Sequence, residues 1–206
     1  MIGSSSMDFS LSNFWRCWHK FLRGKKLSQE IQTFQYYLES NLFYLQRELD
    51  SGLYRHGGYR VFVVRENKKR TISVAAVRDR IVHRLAYEFL VFIYNRTFIF
   101  DVWSCRKEKG LTDAIERSQK FLNAYPDGYV WRADITKFFD NVAHKILIKM
   151  LERKVTHPKD IKLLKEIITS FLAVGANWER VKSPAEKASR SATLPVKFLQ
   201  ISTSTN

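Results

Sequence analysis

Two carboxylates in the segment 129–140 have neighbours that suit them for binding a metal ion. Asp134 ends an apolar run, and Asp140 follows six residues later, directly after two phenylalanines. The alternation of side chains predicts a β-strand from Tyr129 to Ile135, followed by a turn and a helix. A carboxylate at the end of a buried strand is unfavourable unless it is paired, hydrogen-bonded or bound to a cation. A rigid strand end is also a good position from which to hold Mg²⁺ against a phosphate.

A second interpretation of this segment involves no chemistry. Asp134 can cap the helix that follows, while Phe138 and Phe139 lie in the core. The segment is short and supports both interpretations equally, so the rest of the chain has to decide between them.

The charge balance favours a polyanionic partner. The chain of 206 residues has a net charge of +15, and residues 55–110 contain 13 Lys and Arg against 5 Asp and Glu, an excess of 8. Aromatic residues make up 14% of the chain and are interleaved with these cations. This pattern favours a nucleic-acid surface over a basic surface that is merely solvated.

Composition excludes several other classes of protein. Apolar residues make up 45% of the chain, which indicates a globular protein. Cys17 and Cys105 are far apart in sequence, so neither a disulfide framework nor a metal-binding spacing is present, and a reducing, cytoplasmic compartment is expected. No apolar run reaches about 18 residues, so no membrane span is expected. Residues 1–7 lack the apolar region of a signal peptide.

Helices are predicted at the start of the chain. Aromatic residues within 9–22 recur with helical spacing, and a basic run follows at 23–26. Ser28 can cap a second helix, which we expect to run to about Asp50 and to stop at Gly52.

A β-hairpin is predicted next, with four cations at its tip. The β-rich runs 59–65 and 70–74 are separated by a polar turn. The cations are Arg65, Lys68, Lys69 and Arg70. Because neighbouring cations repel one another unless an anion neutralises them, the tip favours phosphate contact over simple solvation.

Further helices and one basic loop complete the pattern. The helices are expected at Val77 to Asn95, at Leu111 to Asn123, at Val142 to Arg153 (buried through Ile146, Leu147 and Met150) and from Thr156, with Pro158 in its first turn, to about Val174. The basic loop is 104–110.

Three segments resemble blocks of bacterial reverse transcriptases. Residues 70–83, Arg-Thr-Ile-Ser-Val-Ala-Ala-Val-Arg-Asp-Arg-Ile-Val-His, resemble the fingers segment, in which an Arg and a short strand precede an Asp-Arg helix start. Residues 100–110 resemble a loop usually seen as Ser-x-Gly-x-Arg-x-Gly-(Lys/Arg). Residues 132–144, Arg-Ala-Asp-Ile-Thr-Lys-Phe-Phe-Asp-Asn-Val-Ala-His, are very similar to polymerase motif A. Retron, group II intron and diversity-generating element enzymes share these blocks.

The resemblance spans residues 25–172 and implies a fold and a domain order. The fold is α+β and helix-rich, that of a reverse-transcriptase-like right-hand polymerase with fingers and an incomplete palm. The implied regions are 1–27, an aromatic and basic helix; 28–128, the fingers; 129–174, a partial palm with motif A; and 175–206, a poorly ordered tail.

The resemblance also implies roles for individual residues. In this family a primer 3′-hydroxyl attacks an α-phosphate in line, with two Mg²⁺ ions about 4 Å apart. Asp134 matches the catalytic carboxylate that touches both ions, and the Ile135 carbonyl is a further metal ligand. Phe139 matches the ring that excludes a ribose 2′-hydroxyl, so dNTPs are preferred. Arg70, together with Arg65 or a neighbouring lysine, matches the cations that clamp the triphosphate. The cations expected to contact the RNA template and the DNA primer are Lys68, Lys69, Arg106 and Lys109.

Minor departures from the family pattern leave the resemblance intact. Ala75 stands where proline is common, and Cys105 with Arg106 stands where Gly-Phe/Tyr-Arg is usual. Asp140 is expected to cap the helix or orient local backbone, and His144 is expected to be structural.

The larger departure follows Phe171. The family continues with a Gly-x-Pro-x-Gly-Asn-x-x-Ser-Gln helix and a hairpin that carries Tyr/Phe-x-Asp-Asp, but the last aspartate of this chain is Asp160. One carboxylate cannot usefully hold two divalent cations. We therefore expect no activity from this chain alone, poor stability, exposed apolar surface around the strand at Asp134, and a second polypeptide that supplies the rest of the palm.

A frameshift can explain the tail. When residues 190–206 are written as suitable codons and read from the third base, they become Ile-Gly-Asn-Leu-Thr-Ser-Gln-Ile-Phe-Ala-Asn-Ile-Tyr-Phe-Asn-Glu, which resembles the missing family segment. The hypothesis places the change of frame between Val174 and Ser189. The nucleotide sequence of the gene tests it.

Three functions therefore stay open at this point. The first is a truncated RNA-directed DNA polymerase. The second is a non-catalytic RNA-binding module, and the third is the inert product of a pseudogene.

Overall fold

The computed structural model describes residues 6–65, 69–136, 138–170 and 198–199, which fall into two compact units. Unit 1 comprises residues 6–65, 69–93 and 143–170, and unit 2 comprises 94–136, 138–142 and 198–199. The described residues are helix-rich with small antiparallel sheets, which agrees with the α+β prediction. The predicted region boundaries at 28, 129 and 175 stay predictions, and the tail, apart from 198–199, lies outside the described residues.

Unit 1 begins with three helices, α1 (Leu11–Leu22), α2 (Gln29–Tyr36) and α3 (Leu38–Asp50). The side chain of Ser28 accepts a hydrogen bond from the Ile31 amide at 3.4 Å, so its predicted capping role is confirmed. The predicted stop at Gly52 is also confirmed, because this glycine has the left-handed φ of 68° that suits the end of a helix.

The prediction of one continuous helix up to Asp50 is wrong, because the helix breaks at Tyr37. Tyr37 has φ −107° and ψ 31°, outside helical values. The Asn41 side-chain amide donates to the Phe34 carbonyl at 3.0 Å and so provides a partner for a carbonyl at the end of α2. The break divides the segment into two shorter helices that pack against each other.

The predicted hairpin is confirmed and consists of β1 (Tyr59–Arg65) and β2 (Lys69–Ala75). The strands pair antiparallel, with Tyr59 opposite Ala75 and Arg65 opposite Lys69. The predicted turn at 66–68 lies outside the described residues. Most β1 side chains are exposed, as expected for a two-stranded ribbon that no further sheet covers in the described part of the chain.

The hairpin leads into the long helix α4 (Val77–Tyr94), and α6 (His144–Glu152) and α7 (Pro158–Ser170) complete unit 1. The predicted start of α4 at Val77 is confirmed, whereas the last helix, predicted from Thr156, begins two residues later at Pro158. The core gathers large apolar side chains from most of these helices: Phe14, Trp18 and Phe21 from α1, Leu42, Leu45 and Leu49 from α3, Ile81, Val82 and Leu85 from α4, Leu151 from α6, and Leu163 and Leu164 from α7.

The predicted burial of α6 through Ile146, Leu147 and Met150 is wrong. Ile146 is 57% exposed, Met150 is 53% exposed and Leu147 is only half-buried, whereas Leu151 is 7% exposed. The spacing of apolar residues identified the helix, but the face that it buries is set by its packing partner, which is α7.

Unit 2 contains a 3₁₀ turn at Asn95–Thr97, α5 (Leu111–Ala124), β3 (Val130–Trp131), a second 3₁₀ turn at Phe139–Asn141, and β4 (Phe198–Leu199). The predicted strand from Tyr129 to Ile135 is wrong in its extent, because only two residues form β3. Among the described residues, β3 pairs only with the two residues of β4, so no longer ladder fixes the residues that follow.

No residue of unit 2 whose accessibility the structure describes is buried. Val130 is 43% exposed and Trp131 is 68% exposed, so the prediction that Asp134 ends a buried strand is wrong. The expected exposure of apolar surface around this strand is confirmed. The helix α5 is similarly uncovered, since Leu111 is 79% exposed and Ile115 is 51% exposed.

Candidate nucleic-acid interface and metal site

Asp134 lies on the irregular segment that leaves β3, and its side chain is exposed. The Asn141 side-chain amide donates to the Thr136 carbonyl at 3.2 Å, and this hydrogen bond connects the 3₁₀ turn at Phe139–Asn141 to the segment that contains Asp134. Phe138 and Phe139 make an edge contact with ring centroids 5.5 Å apart. The carboxylate and both aromatic rings are therefore accessible to solvent.

Two of the predicted ligand and selectivity residues are also accessible. Ile135 is 64% exposed, and Phe139 is 86% exposed, so its ring is free of packing that would commit it to a core. Exposure rules out the interpretation in which Phe138 and Phe139 lie in the core, since Phe138 is 51% exposed. The Asp140 side chain, predicted to cap a helix, lies outside the described residues.

The described residues do not fit a pair of Mg²⁺ ions. Asp134 and the Ile135 carbonyl can supply two oxygen ligands, and within the described ranges no three His, Cys, Asp or Glu side chains form a group that could hold a metal ion. Magnesium requires near-octahedral oxygen coordination and usually takes one or two carboxylates together with substrate phosphates. A second ion would need carboxylates that the described residues do not offer.

The predicted triphosphate clamp lies in unit 1, on the hairpin. Arg65 ends β1 and its residue is exposed. Arg70 lies opposite Val64 in β2 by backbone register. Lys68 and the side chains of Lys69 and Arg70 lie outside the described residues.

In the basic loop of unit 2, the side chains of Arg106 and Lys109 donate hydrogen bonds to backbone carbonyls of the same short segment, 99–102. The Arg106 guanidinium donates to the carbonyls of Ile99 and Val102 at 3.1 and 3.3 Å and to the Asn95 side chain at 3.0 Å. The Lys109 ammonium donates to the Phe100 carbonyl. Both predicted template-binding cations therefore have uncharged hydrogen-bond partners, and their positive charges are not neutralised by these contacts.

Both cations also lie over the faces of aromatic rings. The Lys109 nitrogen lies 3.4 Å from the centroid of Phe100 and 4.1 Å from that of Trp103. The Arg106 guanidinium lies 5.8 Å from the Phe98 centroid. Such cation–π contacts stabilise the loop in a unit whose described residues form no buried apolar core. In the sequence, aromatic residues at 98, 100 and 103 precede basic residues at 106, 107 and 109, an order that locates the loop but does not predict which cation lies over which ring.

Arg117 was missed at the sequence level and differs from the other two cations. It donates to both carboxylate oxygens of Asp101, at 3.0 and 3.4 Å, and lies 4.4 Å from the Phe121 centroid. The hydrogen bond from Arg117 lowers the pKa of the exposed Asp101 carboxyl. The guanidinium is thus paired with an acid and is less available to an external anion.

A buried carboxylate fixes the base of the hairpin in unit 1. Asp79, in the first turn of α4, is 1% exposed and accepts from the Tyr54 hydroxyl at 2.8 Å and from the Gly57 amide at 3.1 Å. Burial raises the pKa of Tyr54, and the hydrogen bond to Asp79 raises it further. These bonds tie residues 54–57, which precede β1, to the start of α4.

Two arginines beside Asp79 are also committed to structure. Arg78 pairs with Glu48 of α3 and stacks over Tyr54 at 5.1 Å, while Arg80 pairs with Glu30 of α2 at 3.0 Å. Glu30 additionally accepts from the Val77 amide at 2.9 Å and so caps the N-terminus of α4. The Asp-Arg pattern at the start of this helix therefore organises packing and offers no free cation from Arg78 or Arg80.

Among the residues that the structure describes, none of the helices has the length and apolar character needed to cross a membrane.

Comparison with known proteins gives one distant similarity. No protein-family model matches the chain. The chain is similar to Protein YkfC of Escherichia coli (strain K12), with 29% identity over 137 residues. The matched residues make up 64% of this chain and 36% of YkfC, so the chain spans little more than a third of the length of that relative.

Proposed function

We propose that this chain is the fingers and partial palm of a cytoplasmic RNA-directed DNA polymerase of the reverse-transcriptase type, and that it binds RNA without polymerising dNTPs by itself. The observation that carries the proposal is the sequence 132–144, similar to motif A, occurring after a fingers-like segment and a basic loop in the family's order. The confirmed hairpin and α4 are consistent with the fingers interpretation, and the exposed Asp134 is consistent with a carboxylate available to a ligand.

The contacts that Arg106 and Lys109 make in the basic loop support RNA binding. Arg106 and Lys109 are held by carbonyls and aromatic faces, so a phosphate can compete for them without first displacing a carboxylate. The exposed Phe98, Phe100 and Trp131 rings provide surfaces on which bases can stack. The net charge of +15 adds long-range attraction to any polyanion.

The lone carboxylate supports the absence of catalysis. In the intact family, two Mg²⁺ ions stabilise the attacking and leaving oxygens. Asp134 and the Ile135 carbonyl would contact these ions, and the Phe139 ring would select dNTPs, but the described residues provide no further carboxylate for a second ion. A second polypeptide that supplies the rest of the palm would bring the missing ligands and cover the exposed Val130 and Trp131.

The same lone carboxylate is consistent with a second candidate, a non-catalytic RNA-binding module. A module of this kind would bind RNA as the first candidate does, but it would gain no polymerase activity when the remainder of the palm is supplied. Addition of that polypeptide is therefore the experiment that separates the two candidates.

Salt-dependent RNA binding tests the shared part of the proposal. For single-stranded RNA, the slope of log K against log salt is about −0.7 for each phosphate contact, so the double variant Arg106→Gln with Lys109→Gln should flatten the slope by roughly 1.4. A Lys109→Arg variant should retain most of the slope. The matched control is Lys20→Gln, which removes a cation already paired with Glu88 at 2.7 Å. Equal effects of the control and the double variant would contradict the assigned interface.

A further inference from the structure

Two histidines of unit 1 face each other through their Nε2 atoms. His56, just before β1, and His83, on α4, have Nε2 atoms 2.9 Å apart. The ring centroids are 5.0 Å apart and the ring planes are inclined by 17°, so the two nitrogens meet nearly head-on. This is the geometry of one N–H···N hydrogen bond and not that of two ligands converging on a metal ion.

Hydrogen-bond partners determine where the protons lie. The Nδ1 of His56 is 2.6 Å from the Gly57 carbonyl, which can only accept, so this nitrogen carries a proton. In the neutral ring, Nε2 of His56 is then an acceptor, and Nε2 of His83 must carry the shared proton. One additional proton can be added without breaking this bond, because each Nδ1 can then carry a proton while the two Nε2 atoms still share one. A second would place two N–H groups against each other.

Charged and titratable groups of α4, α7 and β1 lie around the pair. Burial lowers the pKa of the His83 imidazole, and His56 and Arg80 lower it as well, while the Asp79 carboxylate opposes them. From α7, Glu166 accepts from the His56 backbone amide at 2.9 Å. From β1, the Tyr59 hydroxyl lies 3.4 Å from Nε2 of His56.

We propose that the His56–His83 pair is an acid-sensitive latch that fastens the start of the β1–β2 hairpin to α4 and opens when the pair takes up its second proton. At neutral pH the pair holds one proton between two neutral rings and completes the anchoring begun by Asp79. In acid the second proton abolishes the hydrogen bond and introduces repulsion between the rings. The hairpin then loses an attachment at its base while the helices of unit 1 keep their core.

Imidazole nitrogen NMR on the whole chain, from about pH 8 to about pH 4.5, tests the latch. We expect two coupled titration steps. At the lower step, amide exchange in β1, corrected for its intrinsic pH dependence, should accelerate on the order of tenfold, the factor that corresponds to the loss of about one hydrogen bond.

Variants supply the control. His83→Gln and His56→Gln should each remove the acid step in amide exchange, whereas His19→Gln, which changes an exposed histidine on α1, should leave it in place. Independent titration of the two rings with no change in hairpin exchange would overturn the proposal, and so would an acid step that persists in His83→Gln. If a variant does not fold, the titration of the unaltered chain decides alone.

Discussion

Replacement of Asp79 by alanine should strongly destabilise unit 1. The carboxylate is 1% exposed, and its loss leaves the hydroxyl of Tyr54, itself 4% exposed, without its hydrogen-bond partner. A buried polar group left unsatisfied costs about 1–3 kcal/mol, and loss of an acid from the first turn of a helix costs about 0.3–1 kcal/mol more. The Gly57 amide loses its bond as well, but that glycine is exposed and water can replace the carboxylate there.

The expected decrease in the free energy of unfolding is therefore about 1–4 kcal/mol, a large part of the stability of a typical domain. Urea denaturation followed by circular dichroism measures it. Asp79→Asn should lose less, because an amide can accept from the Gly57 amide and donate to the Tyr54 oxygen.

A double-mutant cycle with Tyr54→Phe shows whether the assigned contact is responsible. In the unaltered chain, Tyr54→Phe removes one hydrogen bond to a charged group and should cost about 1.5–3 kcal/mol. In the Asp79→Ala chain, the same change removes an orphaned hydroxyl and should be neutral or stabilising. Additive effects within about 0.5 kcal/mol would refute the reasoning, because residues in direct contact should couple.

Two further substitutions and one labelling experiment test other parts of the structure. Glu108 has a left-handed φ of 60°, so Glu108→Gly should raise the free energy of unfolding by about 0.5–1 kcal/mol in urea denaturation; a decrease would contradict the assigned strain. Asp160 is fully buried and accepts a hydrogen bond from the Met7 amide at 2.9 Å. Asp160→Ala should therefore lower the free energy of unfolding by about 1–3 kcal/mol in the same assay. An unchanged free energy of unfolding would show that this hydrogen bond does not form. Burial raises the pKa of the Cys17 thiol to about 11, whereas Cys105 is exposed. At about pH 8, iodoacetamide should therefore label Cys105 and not Cys17, which mass spectrometry can measure. Equal labelling of the two cysteines would contradict the burial of Cys17.

Local signals in the sequence predicted much of unit 1. The cap at Ser28 and the stop at Gly52 depend on interactions within one turn, so they could be identified from residue type. The helix break at Tyr37 could not, because helical periodicity continues through it; in the structure, the Asn41 side chain donates to the Phe34 carbonyl across the break.

Non-local features were harder to predict. The length of β3 depends on a partner strand, and the described residues pair it with two residues only, whereas alternation alone had suggested a strand up to Ile135. The burial of Ile146 and Met150 likewise depends on the partner of α6. For the candidate site, residue type located Asp134, Arg106 and Lys109, but their spacing could not reveal that both cations are held by carbonyls and rings of their own loop.

Primer extension by the purified chain tests the central claim most directly. The reaction contains an RNA template, an annealed DNA primer, dNTPs and Mg²⁺, with an Asp134→Asn variant as the matched control. We expect the chain to bind the template–primer and to incorporate no nucleotide, and we expect the variant to behave identically. Incorporation by the unaltered chain that is lost in Asp134→Asn would contradict this expectation, because one carboxylate would then be sufficient for two-metal chemistry.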